Sequence, residues 1–269
     1  MSQLTTTTTT TNATSQQHPY YPLNALIPHY RPNTTSVPTL LLIFFASCTL
    51  LLFFCYFFAT TRIYAAAASS LPLPQEEEEK SKEKNESKSR ETDTGLSGGE
   101  LSTLMWFVLS GTIHVVFEGY YVRFYEELAG KEGVLGEMWK EYAFSDSRYL
   151  TKNTFVLCVE TLTVLLWGPG CFLVAALILQ RSPWRYPLQI IVSMGQLYGD
   201  ALYYATSFFD HAVNGISYSR PEALYFWFYF VGCNAVWIVV PAILIYQSSV
   251  KAVSAIAACS ELDSSKKVR

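Results

Sequence analysis

Charge is what this chain has least of. Asp, Glu, Lys and Arg make up 15% of its 269 residues, against about a quarter in an ordinary soluble domain. Much of that share sits in one block between Gln75 and Glu100. The rest is too apolar for a water-exposed surface, which points to one core region in a membrane rather than two soluble domains. A net charge of −3 leaves no basic footprint, so a nucleic-acid partner is disfavoured. Cysteine is sparse and scattered. Cys48, Cys55, Cys158, Cys171, Cys233 and Cys259 form no CxxC and no Cys/His cluster, and read as small buried hydrophobes rather than a disulfide framework or zinc site. No phosphate loop or dinucleotide fingerprint is present, so nucleotide use and hydride transfer have no support. The start "MSQLTTTTTTTNATSQQ" lacks the basic region of a signal peptide. An internal repeat, which a proton-coupled transporter would want, is also missing.

What the chain does have is long apolar runs. Five stretches approach the roughly 20 residues a bilayer requires: 38–59, 100–122, 153–179, 188–208 and 223–246. The expected fold is an all-α integral membrane protein, a five-transmembrane-helix bundle around an enclosed intramembrane cavity. The expected divisions are a disordered Thr-rich head with a Pro- and aromatic-rich interfacial segment (1–37), a first helix (38–60), a charged flexible linker (61–99), a four-helix core (100–246) and a cytosolic tail (247–269). The first helix carries no charge and reads as a lipid-facing anchor. Putting Arg62, the linker, Arg181, Arg185 and the tail on one side collects twelve Lys and Arg there against seven opposite. The positive-inside rule makes that side cytosolic, with the N-terminus lumenal, the Asn12 sequon glycosylatable, and "KKVR" where an endoplasmic-reticulum retrieval signal would sit.

The other four stretches carry polar residues at helical spacing, where positions three and four apart share a face. Gly111, His114, Glu118 and Tyr121 form one stripe, and Glu160, Thr163 and Trp167 a second. Ser193, Gln196, Asp200, Tyr203 and Ser207 form a third; Asn234, Trp237 and Pro241 form a fourth. An ionisable side chain in a membrane helix costs about 2.5–3.5 kcal/mol on insertion scales, so His114, Glu118, Glu160 and Asp200 facing lipid would cost on the order of 10 kcal/mol. The stripes are therefore expected to face one another around a cavity. Two carboxyls and an imidazole there make a proton-donating and proton-accepting set, although polar glue between helices would use the same residues. The face of Trp237 can attract a cation by about 2 kcal/mol when desolvated. Acids, a base and such a ring suit carbocation chemistry on an apolar substrate. The loop "MWKEYAFSDSRYL" alternates charges with aromatics and is expected to fold over one mouth of the cavity, with Asp146 and Arg148 able to pair.

Six ordered blocks carry a resemblance: "IHVVFEGYY", "WKEYAFSDSRY", "VETLTVLLWGP", "QLYGD", "YFWFYF" and "NAVWIVVP". They resemble the emopamil-binding proteins of the EXPERA superfamily, the sterol delta-8,delta-7-isomerases, over 101–245. The resemblance implies a multi-pass endoplasmic-reticulum enzyme that moves a double bond in the sterol B ring and needs no cofactor. It implies catalytic roles for His114, Glu118, Glu160, Asn234 and Trp237, with Thr163, Tyr142, Asp146, Arg148 and Tyr149 in substrate binding. Asp200, on the third stripe, joins them as a substrate contact. The implied partners are a sterol, membrane lipid, amphipathic amines as inhibitors and a second copy in a homodimer. Phe144 and Ser145 depart from the family's loop, which has a basic residue and a glycine there. A non-catalytic sterol- or amine-binding protein, or an isomerase of a non-sterol terpenoid, would use much the same residues.

Overall fold

The computed structural model describes residues 17–69 and 96–267, and the regular structure among them is helical throughout. The Thr-rich head with its sequon (1–16) and most of the charged linker (70–95) lie outside the described residues. Helix α1 covers Val37–Ser69. Helix α2 starts at Gly98, widens into a π-helix over Ile113–Glu118, and ends at Phe124. A short helix α3 (Val134–Tyr142) follows. Helix α4 (Thr154–Leu179) has its own π segment at Thr163–Trp167. Helix α5 is Arg185–Asn214, and α6 begins as a π-helix over Leu224–Cys233 and continues as α-helix over Asn234–Lys267.

Local chemistry explains the ends. Ser97 and Glu100 form a capping box at the start of α2, each side chain bonding the other's backbone N–H. Glu100 also meets Arg185 at 2.5 Å, which ties the starts of α2 and α5 together. Asn153 caps α4 through Val156 N–H. Helix α5 stops at Gly215, whose φ of 66° suits a residue without Cβ.

Among the described residues, four helices are long and apolar enough to cross a membrane: Val37–Thr61, Gly98–Phe124, Thr154–Leu179 and Leu224–Lys266. The chain is an all-α membrane protein on that ground. The expected fifth span falls on α5, whose 30 residues are ample in length. It lacks the apolarity of the others because polar Gln189, Ser193, Gln196 and Ser207 sit on its buried face beside Val192 and Tyr203. The helix of the last span runs on to Lys267, into the stretch read as a tail.

Two close approaches position the helices. A Cβ on Gly111 would stand 3.0 Å from Cys171 Cβ and 3.2 Å from the Gly168 carbonyl, so α2 and α4 touch nearly backbone to backbone. A Cβ on Gly195 would lie 2.5 Å from the Trp167 indole, so α5 leaves a slot for that ring. Gly111 and Trp167 of the predicted stripes are thus packing residues. The α1 helix is not simply an anchor: Leu40, Phe44, Cys48 and Leu52 turn inward onto the cavity, while Phe53, Phe54, Phe57 and Phe58 are exposed.

The segment before α1 is irregular, as its prolines require, and it packs down on the α2–α4 connection. His18, Tyr20, Ile27 and Tyr30 are buried. Tyr20 donates to the Lys140 carbonyl at 3.0 Å, Lys140 Nζ donates to the Arg31 carbonyl at 2.9 Å, and Ser147 Oγ bonds the Tyr21 carbonyl. Phe144 stacks on Tyr20 at 4.7 Å, so the aromatic that departs from the family's loop seats this strap.

Candidate active site

A cavity of about 540 Å³ opens between α1, α2, α3, α4, α5 and α6, a size suited to a small apolar molecule. Its wall is mostly apolar. His114, Glu118, Glu160, Thr163, Tyr142, Tyr149, Asp200, Asn234 and Trp237, nine of the residues singled out from the sequence, line it. The π segments bear on this directly. A π turn inserts one residue and rotates the face that follows; His114 and Glu118 lie inside one, Thr163 opens another, and Asn234 follows the third.

His114 is the hinge of the polar set. Its Nδ1 lies 2.9 Å from each oxygen of Glu118. Its Nε2 lies 3.1 Å from Ser110 Oγ and 3.0 Å from Gln196 Nε2. Glu160, from α4, accepts a 2.8 Å bond from the Tyr149 hydroxyl and lines the same cavity as Glu118. The Trp237 indole N–H points at Ser110 Oγ, 3.3 Å away, and its ring lies 6.0 Å from the His114 imidazole. Asn234 bonds the Tyr142 hydroxyl and the Phe230 carbonyl, so its amide holds the loop rather than either acid. The Thr163 hydroxyl donates to its own helix at the Val159 carbonyl. Asp200 Oδ2 is buried with no hydrogen-bond partner.

Asp146 and Arg148 are placed differently from the expected substrate contacts: neither is among the lining residues. They pair at 2.6 Å with both side chains buried. Arg148 also bonds Thr206 Oγ1 and the Tyr203 carbonyl, and lies over the Tyr203 ring at 4.7 Å. Burial works against the guanidinium charge, but Asp146 outweighs it and raises the pKa above its usual range. The pair braces the wall that carries Tyr149.

Sequence reasoning missed Ser110 and Glu141. Ser110 stands four residues before His114 on the same face and was within reach of the spacing argument. Glu141 had no such signal, because its place comes from α3 folding over the cavity. It is 5% exposed, lines the cavity and is met by the Tyr229 hydroxyl at 3.4 Å. Burial raises its pKa, against lowering by the Tyr229 bond and Arg220.

Comparison with known proteins gives the same family from several directions. A family model described as EBP, EXPERA (expanded EBP superfamily), matches residues 134–248. The 3-beta-hydroxysteroid-Delta(8),Delta(7)-isomerase of Mus musculus is 41% identical over 153 residues, 57% of this chain and 65% of that protein. Isomeliandiol synthase ISM1 of Ailanthus altissima is 35% identical over 147 residues, 54% of this chain and 68% of that protein. Protoglabretal synthase MOI1 of Citrus sinensis is 35% identical over 143 residues, 52% of this chain and 65% of that protein. The match to the mammalian isomerases spans less than two thirds of their length.

Proposed function

The chain belongs to the EBP family of EXPERA proteins, and from that premise we propose that it is a sterol delta-8,delta-7-isomerase, an intramolecular C=C isomerase. The observation that carries the reading is that Glu118 and Glu160, from different helices, line one apolar cavity together with His114 and Trp237. In the reaction a carboxylic acid protonates carbon 9 of the delta-8 sterol. The π electrons form the new C–H bond and leave positive charge at carbon 8. A carboxylate then removes a proton from carbon 7, and that C–H pair becomes the delta-7 double bond. Protons gained and lost balance, so the chemistry calls for no redox partner. Glu118 and Glu160 supply acid and base. Trp237 offers its ring to the cation. Tyr149 holds Glu160, and Asp200, Thr163 and Tyr142 bound the substrate's space.

The same reading takes α5 as the fifth span, encloses the cavity within the bilayer, and sets the protein in the endoplasmic-reticulum membrane with a lumenal N-terminus and cytosolic C-terminus. Its divisions are the head and strap, the anchor helix, the linker, the four-helix core and the tail. Amphipathic amines would inhibit by placing a cation where the carbocation forms, and a second copy would make a homodimer. A second reading, isomerisation of a non-sterol terpenoid, is favoured by the names of the plant relatives. Purified protein incubated with a delta-8 sterol in deuterated water should yield delta-7 product with deuterium at carbon 9. Product lacking that deuterium would remove the mechanism; sterol binding without conversion would leave a binding protein.

A further inference from the structure

Ser110 has the most crowded hydroxyl at the site. It is fully buried, with Trp237 Nε1 at 3.3 Å, Gln196 Nε2 at 2.7 Å and His114 Nε2 at 3.1 Å. An indole N–H can only donate, and so can an amide N–H, whereas a hydroxyl has two lone pairs and one hydrogen. With Trp237 and Gln196 taking the lone pairs, the hydrogen is left for His114 Nε2. Gln196 Nε2 is itself 3.0 Å from the same ring nitrogen and again presents an N–H. Both neighbours bring hydrogens, so Nε2 must be bare and the ring proton must sit on Nδ1, facing Glu118 at 2.9 Å. The opposite orientation of the Gln196 amide is the poorer one. It would put NH₂ where Oε1 now lies buried without a partner, and an orphaned donor is rarer than an under-satisfied carbonyl.

We propose that Ser110 and Gln196 are positioning residues that lock neutral His114 in its Nδ1–H tautomer. The Nδ1–H then holds the Glu118 carboxylate, while the same Ser110 hydroxyl pins the edge of Trp237. One buried hydroxyl on α2 thereby sets both a proton-exchanging carboxyl and the ring that faces the cation. Both imidazole nitrogens are engaged, so His114 acts through Glu118 and does not itself exchange protons with the substrate. The effect on turnover rests on the isomerase reading; the tautomer does not.

The test is nitrogen NMR of full-length protein in lipid nanodiscs with ring-¹⁵N histidine, the His114 signals being identified by their loss in His114→Gln. The expected spectrum shows a neutral ring with hydrogen on Nδ1 and with Nε2 shifted as a hydrogen-bonded acceptor. In Ser110→Ala/Gln196→Leu the Nε2 signal should move to the position of an unbonded nitrogen or acquire a proton. In the same variant kcat should fall about tenfold with KM within about twofold, the size expected for one lost hydrogen bond to a reacting group's support. Ser110→Thr, which keeps the hydroxyl, should preserve the parent spectrum. Hydrogen on Nε2 in the parent overturns the proposal, as does an Nε2 signal unmoved in the double variant. Should the double variant not fold, the parent spectrum and the two single variants decide in the same terms. A parent that shows the expected tautomer but converts no sterol would sink the isomerase reading and leave the lock standing.

Discussion

Glu118 and Glu160 stand on different helices, yet both line one cavity, with His114 behind one and Tyr149 behind the other. Replacing either by Gln keeps the shape and much of the hydrogen bonding but removes the exchangeable carboxyl proton. Turnover should fall by about 100-fold or more, the usual contribution of a positioned acid or base, while the unfolding temperature stays close to the parent's. Near-parental turnover by Glu118→Gln or Glu160→Gln would remove that carboxyl from the mechanism. Trp237→Phe keeps a weaker π face and loses the N–H to Ser110. A loss of about tenfold in kcat, with substrate binding retained, is the expected outcome. Complete inactivity with normal ligand affinity would show that the indole does more than face a cation.

Helix spacing in the sequence was enough to bring His114, Glu118, Glu160, Asp200, Asn234 and Trp237 to one cavity, because a face repeats every three to four residues. The same spacing also put Gly111, Trp167, Ser193 and Ser207 on the stripes, and none of these lines the cavity. Trp167 instead fills the slot over Gly195. Gly195→Val would force side-chain atoms into that indole and push α5 from α4. A destabilisation of about 1–3 kcal/mol, typical of overpacking, should appear in thermal unfolding. Turnover should fall with it, since Gln196 and Asp200 move with α5. A variant as stable as the parent would mean the ring yields easily.

The strap before α1 links parts of the molecule far apart in the chain. Its anchor is Glu137, 2% exposed, whose carboxylate accepts Thr34 N–H at 2.9 Å, Thr34 Oγ1–H at 2.7 Å and Thr35 N–H at 3.0 Å. Burial alone would raise its pKa, but these bonds outweigh it and lower the value from 4.5 to about 2. A pKa depressed on folding means stability that is present above the unfolded value of 4.5 and lost as pH falls toward 2. Glu137→Gln should therefore be less stable than the parent at neutral pH, by on the order of 2 kcal/mol. The gap should narrow as pH drops below 4.5, as followed by thermal unfolding in detergent. A gap that stays constant with pH would assign the loss to packing.

Composition and hydropathy determine by themselves that this chain is helical and lives in a membrane, because a bilayer admits few backbone solutions and scarcity of charge is a bulk property. Periodicity adds which residues share a face, because that is local geometry. Only the tertiary structure decides that α1 forms a cavity wall, that Asp146 and Arg148 brace the wall from behind, and that Ser110 joins α2, α5 and α6. Those outcomes depend on distances between segments far apart in the chain, and such distances are set by close packing rather than by any pattern along it.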